Sequence, residues 1–168
     1  MDVEFKVVMI DDEQGVCVLV KKILEGMGRV TVLTTTDPKT GESLCAQEKP
    51  DLIILDNVMP DMKGSDLIRK LRRNKHTQNI PIIMLTGKGE MIFSNESQAF
   101  HWTPNAPIVR TRGELEEQKN PRSLQEAYGV DAYMTKPLNT NLLLEIVGGF
   151  VARKQEKEDL AEWKRNNL

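Results

Sequence analysis

An unbroken apolar run between two aspartates is the feature that most restricts the fold of this chain. The run 52–55 lies between Asp51 and Asp56 and contains no polar residue. A strand with one face in water alternates apolar and polar residues, whereas a strand of a parallel sheet is covered on both faces and does not alternate. A run this short also suits a strand better than a buried helix. It therefore predicts a central strand of a parallel sheet with helices on both sides.

Further short apolar runs alternate along the chain with stretches of helical periodicity. Strands are predicted over residues 5–10, 30–33, 51–56, 80–86 and 130–134. Helices are predicted over 16–27, 38–48, 64–73 and 123–128 and from 141 onward, and Gly28 is predicted as the C-terminal cap of the first. This alternation is typical of an α/β doubly wound sheet, in which ligands bind beyond the carboxyl ends of the strands.

Composition and charge argue against several classes of protein. The 168 residues suit one domain, and 23 basic and 25 acidic residues give a net charge of −2. This balance gives no electrostatic reason to expect direct binding of nucleic acid or of an anionic membrane. No apolar run approaches the roughly 20 residues of a membrane span, and no signal peptide is visible. Cys17 and Cys45 are expected to be small buried thiols in a reducing compartment, so a cytoplasmic location is predicted.

Polar side chains stand where the predicted strands end. Asp11 and Asp12 follow the first strand, Asp56 ends the third, Thr86 ends the fourth, and Lys136 follows the fifth. A single aspartate at such a point is usually a turn or cap residue, but that does not explain all five together. If these strands are neighbours, the side chains meet at one edge of the sheet. Crowded carboxylates favour Mg²⁺, and a lysine and a hydroxyl suit phosphate oxygens, as phosphoryl transfer requires.

At this point the sequence resembles the receiver domain of two-component response regulators. The matching stretches are residues 8–13, 50–56, 59–60 with Gly64, 83–87 and 129–137, and the resemblance covers residues 5–87 and 122–152. It implies a flavodoxin-like, five-stranded parallel sheet in the order 2-1-3-4-5. It also implies a phosphorylation-dependent signalling switch, and not an enzyme with a separate substrate.

The resemblance gives a role to each residue at the strand ends. Asp56 would accept a phosphoryl group from the phosphohistidine of a histidine kinase or of a histidine phosphotransfer protein. Asp12 and Asp56 would bind Mg²⁺ directly, Asp11 would act directly or through water, and the backbone carbonyl of Val58 would complete the protein ligands. Thr86 and Lys136 would each bind a phosphoryl oxygen. The peptide bond between Lys136 and Pro137 would be cis, which proline permits at modest cost.

Tyr133 lies three residues before Lys136, at the position of the family's switch aromatic. The resemblance implies that Thr86 moves toward the phosphate and that the ring of Tyr133 fills the space it leaves. The alternative is that Tyr133 is an ordinary strand aromatic. The signal would pass to a downstream protein target through a surface made by the fourth predicted helix, the fifth strand and the fifth predicted helix.

The chain departs from the family pattern between Thr86 and Lys136. We divide it into a receiver domain over residues 1–152, with an insertion at about 89–121, and a charged helical extension over 153–168. The insertion is too apolar for a solvated linker, and a hairpin of 98–103 with 108–112 is predicted. It is either a partner surface or lid over Asp56, or a decoration that packs on the sheet edge. The extension is too short for a DNA-binding domain, and it is a solvated helix, a homodimer contact through Trp163, or the start of a linker.

Two other functions remain open from the sequence alone. A phosphatase-like hydrolase also uses an aspartate nucleophile with a threonine and a lysine. That class carries its nucleophile after the first strand as Asp-x-Asp, whereas here the first strand is followed by Asp11, Asp12 and Glu13. A degenerate receiver would act as a binding module without phosphate, but all five site residues are present.

Overall fold

A five-stranded parallel sheet forms the centre of the molecule. The structure is a computed structural model that describes residues 4–87 and 130–167. The strands are β1 (Phe5–Ile10), β2 (Val30–Thr35), β3 (Leu52–Asp56), β4 (Ile82–Thr86) and β5 (Ala132–Thr135). They lie in the order β2-β1-β3-β4-β5, and all neighbouring pairs are parallel. The predicted flavodoxin-like α/β fold and strand order are confirmed.

The helices of the described residues pack on both faces of the sheet. They are α1 (Gln14–Glu25), α2 (Pro38–Glu48), α3 (Gly64–Arg73) and α4 (Thr140–Asn167). The last of these corresponds to the fifth predicted helix, because the fourth predicted helix (123–128) lies outside the described residues. The predicted insertion (89–121) and its hairpin also lie outside them.

Helix α4 is much longer than the sheet requires. It has 28 residues, and its buried side chains end at Phe150, so the charged segment 153–167 continues the same helix past its last buried residue. Within this segment, Arg153 and Lys154 still contact the core, over the rings of Phe150 and Phe5. Among the described helices, none is both long enough and apolar enough to span a bilayer.

Every residue of β3 is buried because helices cover both faces of the sheet. Successive strand residues point to opposite faces. Val7 and Met9 of β1 pack in one core with α1 and α4, whereas Val8 and Ile10 pack in a second core with α2 and α3. Coverage on both faces is the physical reason why the run 52–55 does not alternate. The two cysteines are free and buried, one in each core.

The end of α1 differs from the prediction that gave its cap to Gly28. The helix ends at Glu25, and the next amides form tightened turns, from Met27 N to Leu24 O (3.0 Å) and from Gly28 N to Glu25 O (3.1 Å). Gly28 has a φ of 69°, a left-handed conformation that glycine adopts without steric penalty. The glycine therefore closes the turn after the helix, and Met27, the last residue of the predicted helix, lies in this turn and is 37% exposed.

Candidate functional site

Three carboxylates meet at the carboxyl end of the sheet. Asp11 and Asp12 directly follow β1, and Asp56 is the last residue of β3. Because Ile10 of β1 pairs with Leu55 of β3, both strands end side by side. One oxygen from each carboxylate lies within 4.8 Å of the other two. Asp11 and Asp56 are buried and Asp12 is exposed, so the cluster opens to solvent on one side.

Lys136 brings a positive charge into this cluster from the end of the edge strand β5. It follows β5, and its backbone N–H donates to the Thr86 carbonyl at 2.7 Å. The Lys136 Nζ atom lies 3.1 Å from Asp56 Oδ1 and 3.0 Å from Asp11 Oδ2. The Lys136–Pro137 peptide is cis, as the resemblance implies. The structure therefore brings Asp11, Asp56 and Lys136 into direct contact.

Glu13 is a further member of the site, and the sequence alone predicts no role for it. Its Oε1 atom lies 2.9 Å from Lys136 Nζ. Glu13 occupies the N-cap position of α1 but makes no side-chain capping hydrogen bond, so its carboxylate is directed to the lysine. Its position directly after the Asp11–Asp12 pair was the signal that could have identified it.

The remaining predicted residues lie around this cluster. Thr86 is buried at the end of β4, one residue beyond the partner of Asp56 in the sheet register. Tyr133 of β5 is also buried, and its ring belongs to the core that contains α2 and α3. Val58 lies two residues after Asp56, is half exposed, and forms an isolated β-bridge with Lys63. That bridge holds the backbone that follows Asp56.

Burial dominates the electrostatics of the buried carboxylates. It raises the pKa of Asp56 to about 6, although the Lys136 hydrogen bond acts in the opposite direction. Burial also raises the pKa of Asp11, partly offset by a hydrogen bond from the Glu13 backbone N–H. For Lys136, burial alone would lower the pKa, but the carboxylates of Glu13, Asp11 and Asp56 outweigh it, so the pKa is raised. Lys136 therefore stays protonated, whereas the raised pKa values of Asp11 and Asp56 show that these two carboxyl groups ionise less readily than usual.

The donor atoms of the site fit a divalent cation. Asp11 Oδ2 is buried, and Lys136 Nζ lies 3.0 Å from it. The same single ammonium also contacts Asp56 and Glu13, so it cannot balance the negative charge of all these carboxylates. The three carboxylates offer oxygen ligands, which Mg²⁺ prefers. These residues therefore fit Mg²⁺ and would relieve their mutual repulsion by binding it.

Gly64 allows the chain to pass close to Asp56. Its N–H donates to Asn57 O at 2.8 Å, and a Cβ atom at this position would lie 2.5 Å from the Asp56 carbonyl oxygen. We predict that Gly64→Ala destabilises the fold by about 1–3 kcal/mol, because backbone atoms on both sides must move. Urea denaturation followed by circular dichroism measures this loss. Gly15→Ala is the matched control, since no atom lies within 4 Å of its added Cβ, and it should be neutral or slightly stabilising. Equal effects of both changes would contradict the packing argument.

Comparison with known proteins agrees with this geometry. The family model described as response regulator receiver domain matches residues 7–101, more than half of the chain. This chain is a member of that receiver family. Receiver domains are phosphorylation-dependent switches of two-component systems, they are phosphorylated by histidine kinases, and they typically bind Mg²⁺ through acidic residues.

Curated relatives of this receiver domain are longer proteins. The phosphate regulon transcriptional regulatory protein PhoB of Rhizobium meliloti is 32% identical over 148 residues, which are 88% of this chain and 52% of that protein. The response regulator Rre1 of Synechocystis is 25% identical over 151 residues, covering 90% of this chain and 53% of Rre1. The chain thus spans about half the length of the curated relatives that it matches.

Solved structures show the same receiver fold. The chemotaxis protein CheY4 of Vibrio cholerae superposes with a TM-score of 0.60 at 22% identity, covering 87% of this chain and 98% of CheY4. A response regulator receiver domain protein of Methanospirillum hungatei superposes with a TM-score of 0.63 at 22% identity, covering 91% of this chain and 98% of that protein. At these identities the likeness establishes the fold alone.

Proposed function

We propose that this receiver domain takes a phosphoryl group onto Asp56 from the phosphohistidine of a histidine kinase or a histidine phosphotransfer protein. A carboxylate oxygen of Asp56 attacks the phosphorus, the phosphorus–nitrogen bond breaks, and the imidazole leaves with the electron pair and takes up a proton. The product is an acyl phosphate that water later hydrolyses. The protein changes only its own state, so it acts as a switch.

The observation that supports this proposal most strongly is the contact of Lys136 with Asp56. The ammonium lies 3.1 Å from the carboxylate that would carry the phosphoryl group. Its side chain is only 17% exposed, so water screens its charge weakly. Lys136 can therefore hold a phosphoryl oxygen and neutralise charge that develops during transfer. Thr86 supplies a hydroxyl at the end of the neighbouring strand β4.

Mg²⁺ would be held by the carboxylates of Asp11, Asp12 and Asp56 together with the backbone carbonyl of Val58. When bound, the ion supplies positive charge that offsets the three carboxylates and an incoming phosphoryl group. The chain's own residues then position the acceptor. The Glu13 N–H donates to Asp11 Oδ1 at 2.9 Å and fixes that carboxylate beside Asp56.

The signal would reach a downstream protein target through β5 and α4. Thr86 pairs with Thr135 in the sheet, and Met84 pairs with Tyr133. Because β4 and β5 are paired in this way, they would move together when the Thr86 hydroxyl moves toward a phosphoryl oxygen. Tyr133 would respond because its ring is buried beside this strand pair.

The receiver domain would occupy residues 1–152, with an insertion at about 89–121, and residues 153–168 would form an extension, since the buried side chains of α4 end at Phe150.

Incubation with acetyl phosphate and Mg²⁺, followed by intact mass measurement, tests the proposed function. We expect a gain of one phosphate per chain that disappears when a chelator removes Mg²⁺. A phosphatase-like hydrolase would instead release phosphate continuously from a generic phosphate ester. A chain that gains no phosphate at any Mg²⁺ concentration would be a degenerate receiver, and the proposal would fail.

A further inference from the structure

The ammonium group of Lys136 already has a carboxylate partner for each of its donors. A lysine ammonium carries three N–H donors. Three carboxylate oxygens lie within 3.1 Å of Lys136 Nζ, one each from Asp11, Glu13 and Asp56. For Lys136 to bind a phosphoryl oxygen, one of these three oxygens must give up its place.

Two of the three partners are held in the site by their own surroundings. Asp11 is buried and accepts a hydrogen bond from the Glu13 backbone N–H at 2.9 Å. Asp56 is only 4% exposed and is the proposed phosphoryl acceptor. Both belong to the carboxylate cluster that would bind Mg²⁺. Neither carboxylate can exchange its contact with Lys136 for water without also leaving that cluster.

The Glu13 carboxylate is free of these restraints. Its side chain is 61% exposed, and it is not a member of the carboxylate cluster. Its backbone is fixed separately, because its N–H donates to Asp11 and its carbonyl accepts from the N–H groups of Val16 (3.0 Å) and Cys17 (3.2 Å) at the start of α1. The side chain makes no capping hydrogen bond to α1. Rotation of this side chain alone therefore releases Lys136.

We propose that Glu13 is the exchangeable partner of Lys136. Its carboxylate gives up one N–H of the ammonium to a phosphoryl oxygen on Asp56 and turns to water with its charge unchanged, so no proton and no electron pair moves. Glu13 competes with an anion for the same ammonium, and it therefore restrains phosphorylation. This inference rests on the proposed function. Glu13 is a positioning residue, because it acts through Lys136.

Removing the charge of Glu13 should make phosphorylation faster. Glu13→Gln keeps the shape of the side chain, but its amide oxygen is uncharged and holds the ammonium less strongly. We expect this variant to gain phosphate from acetyl phosphate and Mg²⁺ about two- to fivefold faster than the wild type, as suits an ion pair with one exposed partner. Intact mass over a time course measures the rate. A rate equal to or below that of the wild type would overturn the proposal.

Salt dependence distinguishes this electrostatic effect from a change in structure. Salt screens exposed charges, and the Debye length falls to about 3 Å at about 1 M. The ratio of the two phosphorylation rates should therefore fall toward one as salt is added. Circular dichroism should show that Glu13→Gln is folded like the wild type. A ratio that does not change with salt would contradict competition between charges.

Asp61→Asn is the control for the loss of a negative charge alone. Asp61 is exposed in the loop after β3 and is not among the three carboxylates that contact Lys136. This variant should gain phosphate at the wild-type rate. Equal acceleration in Asp61→Asn and Glu13→Gln would show that net charge, and not the contact with Lys136, sets the rate.

Binding of beryllofluoride gives a readout that does not depend on phosphoryl transfer. With Mg²⁺ present, this anion imitates a phosphoryl group on an aspartate. Calorimetry should give a dissociation constant about two- to fivefold lower for Glu13→Gln than for the wild type. Equal dissociation constants would show that Glu13 does not compete for the place of a phosphoryl oxygen.

NMR spectroscopy reports the movement of Glu13 itself. In protein labelled with ¹³C-glutamate, the Glu13 carboxylate signal is the one that Glu13→Gln lacks. On saturation with beryllofluoride and Mg²⁺, this signal should move to the position of glutamates in water. A signal that stays in place would show that Glu13 remains on Lys136, and the proposal would fail.

The behaviour of the wild type separates this inference from the proposed function. A wild type that gains phosphate and binds beryllofluoride, with Glu13→Gln identical to it, would leave the proposed function intact and overturn only the exchange. A wild type that does neither would overturn both.

Discussion

Asp56→Asn is expected to abolish the gain of phosphate completely. The amide has nearly the same shape as the carboxylate, but it carries no charge and its oxygen is a poor nucleophile, so no acyl phosphate forms. Intact mass after incubation with acetyl phosphate and Mg²⁺ should show one added phosphate on the wild type and none on the variant. Asp11 is also buried and also contacts Lys136, so any phosphate that remained on the variant would point to that carboxylate.

Asp61→Asn is the matched control for this experiment. Asp61 is an exposed aspartate in the same loop, five residues after Asp56, and belongs to neither the carboxylate cluster nor the contacts of Lys136. This variant should gain phosphate as the wild type does. Undiminished labelling of Asp56→Asn would place the acceptor on another side chain.

Metal-free protein is expected to lose stability as the pH rises from about 4 to about 6. The folded state holds the Asp56 proton up to a pKa of about 6, whereas an unfolded chain releases it near 3.8. Below both values the carboxyl group is neutral in both states and carries no cost. Above the folded pKa it is ionised while only 4% exposed, which costs up to about 3 kcal/mol of folding free energy. Urea denaturation with a chelator at pH 4 and pH 7 measures the change.

The comparison with Asp56→Asn isolates this effect from other titrating groups. The variant cannot ionise at this position, so it should gain stability relative to the wild type on going from pH 4 to pH 7. A smaller pH dependence should remain, because burial raises the pKa of Asp11 as well. Mg²⁺ at pH 7 should stabilise the wild type more than the variant, since it binds the ionised cluster. A stability difference that stays constant with pH would contradict the electrostatic account.

Most of the sheet could be predicted because the apolar pattern of each strand matches the burial of that strand in the folded protein. The bounds of β1 are those predicted, and the run 52–55 is buried on both faces as its lack of alternation indicates. The end of β2 could not be predicted in this way. The strand continues to Thr35 because Thr34 and Thr35 pair with Met9 and Ile10 of β1, a contact that no local pattern records.

The sequence by itself determined which residue types stand at the strand ends, because apolar runs mark the strands and polar residues mark where they stop. Only the tertiary structure decided that Lys136 and Asp56, 80 positions apart in the chain, lie 3.1 Å from each other. It also decided that Glu13 contacts the same ammonium and that burial raises the pKa of Asp56. The physical reason is that ion pairing and desolvation depend on distances between strands, which the order of residues along a single strand does not contain.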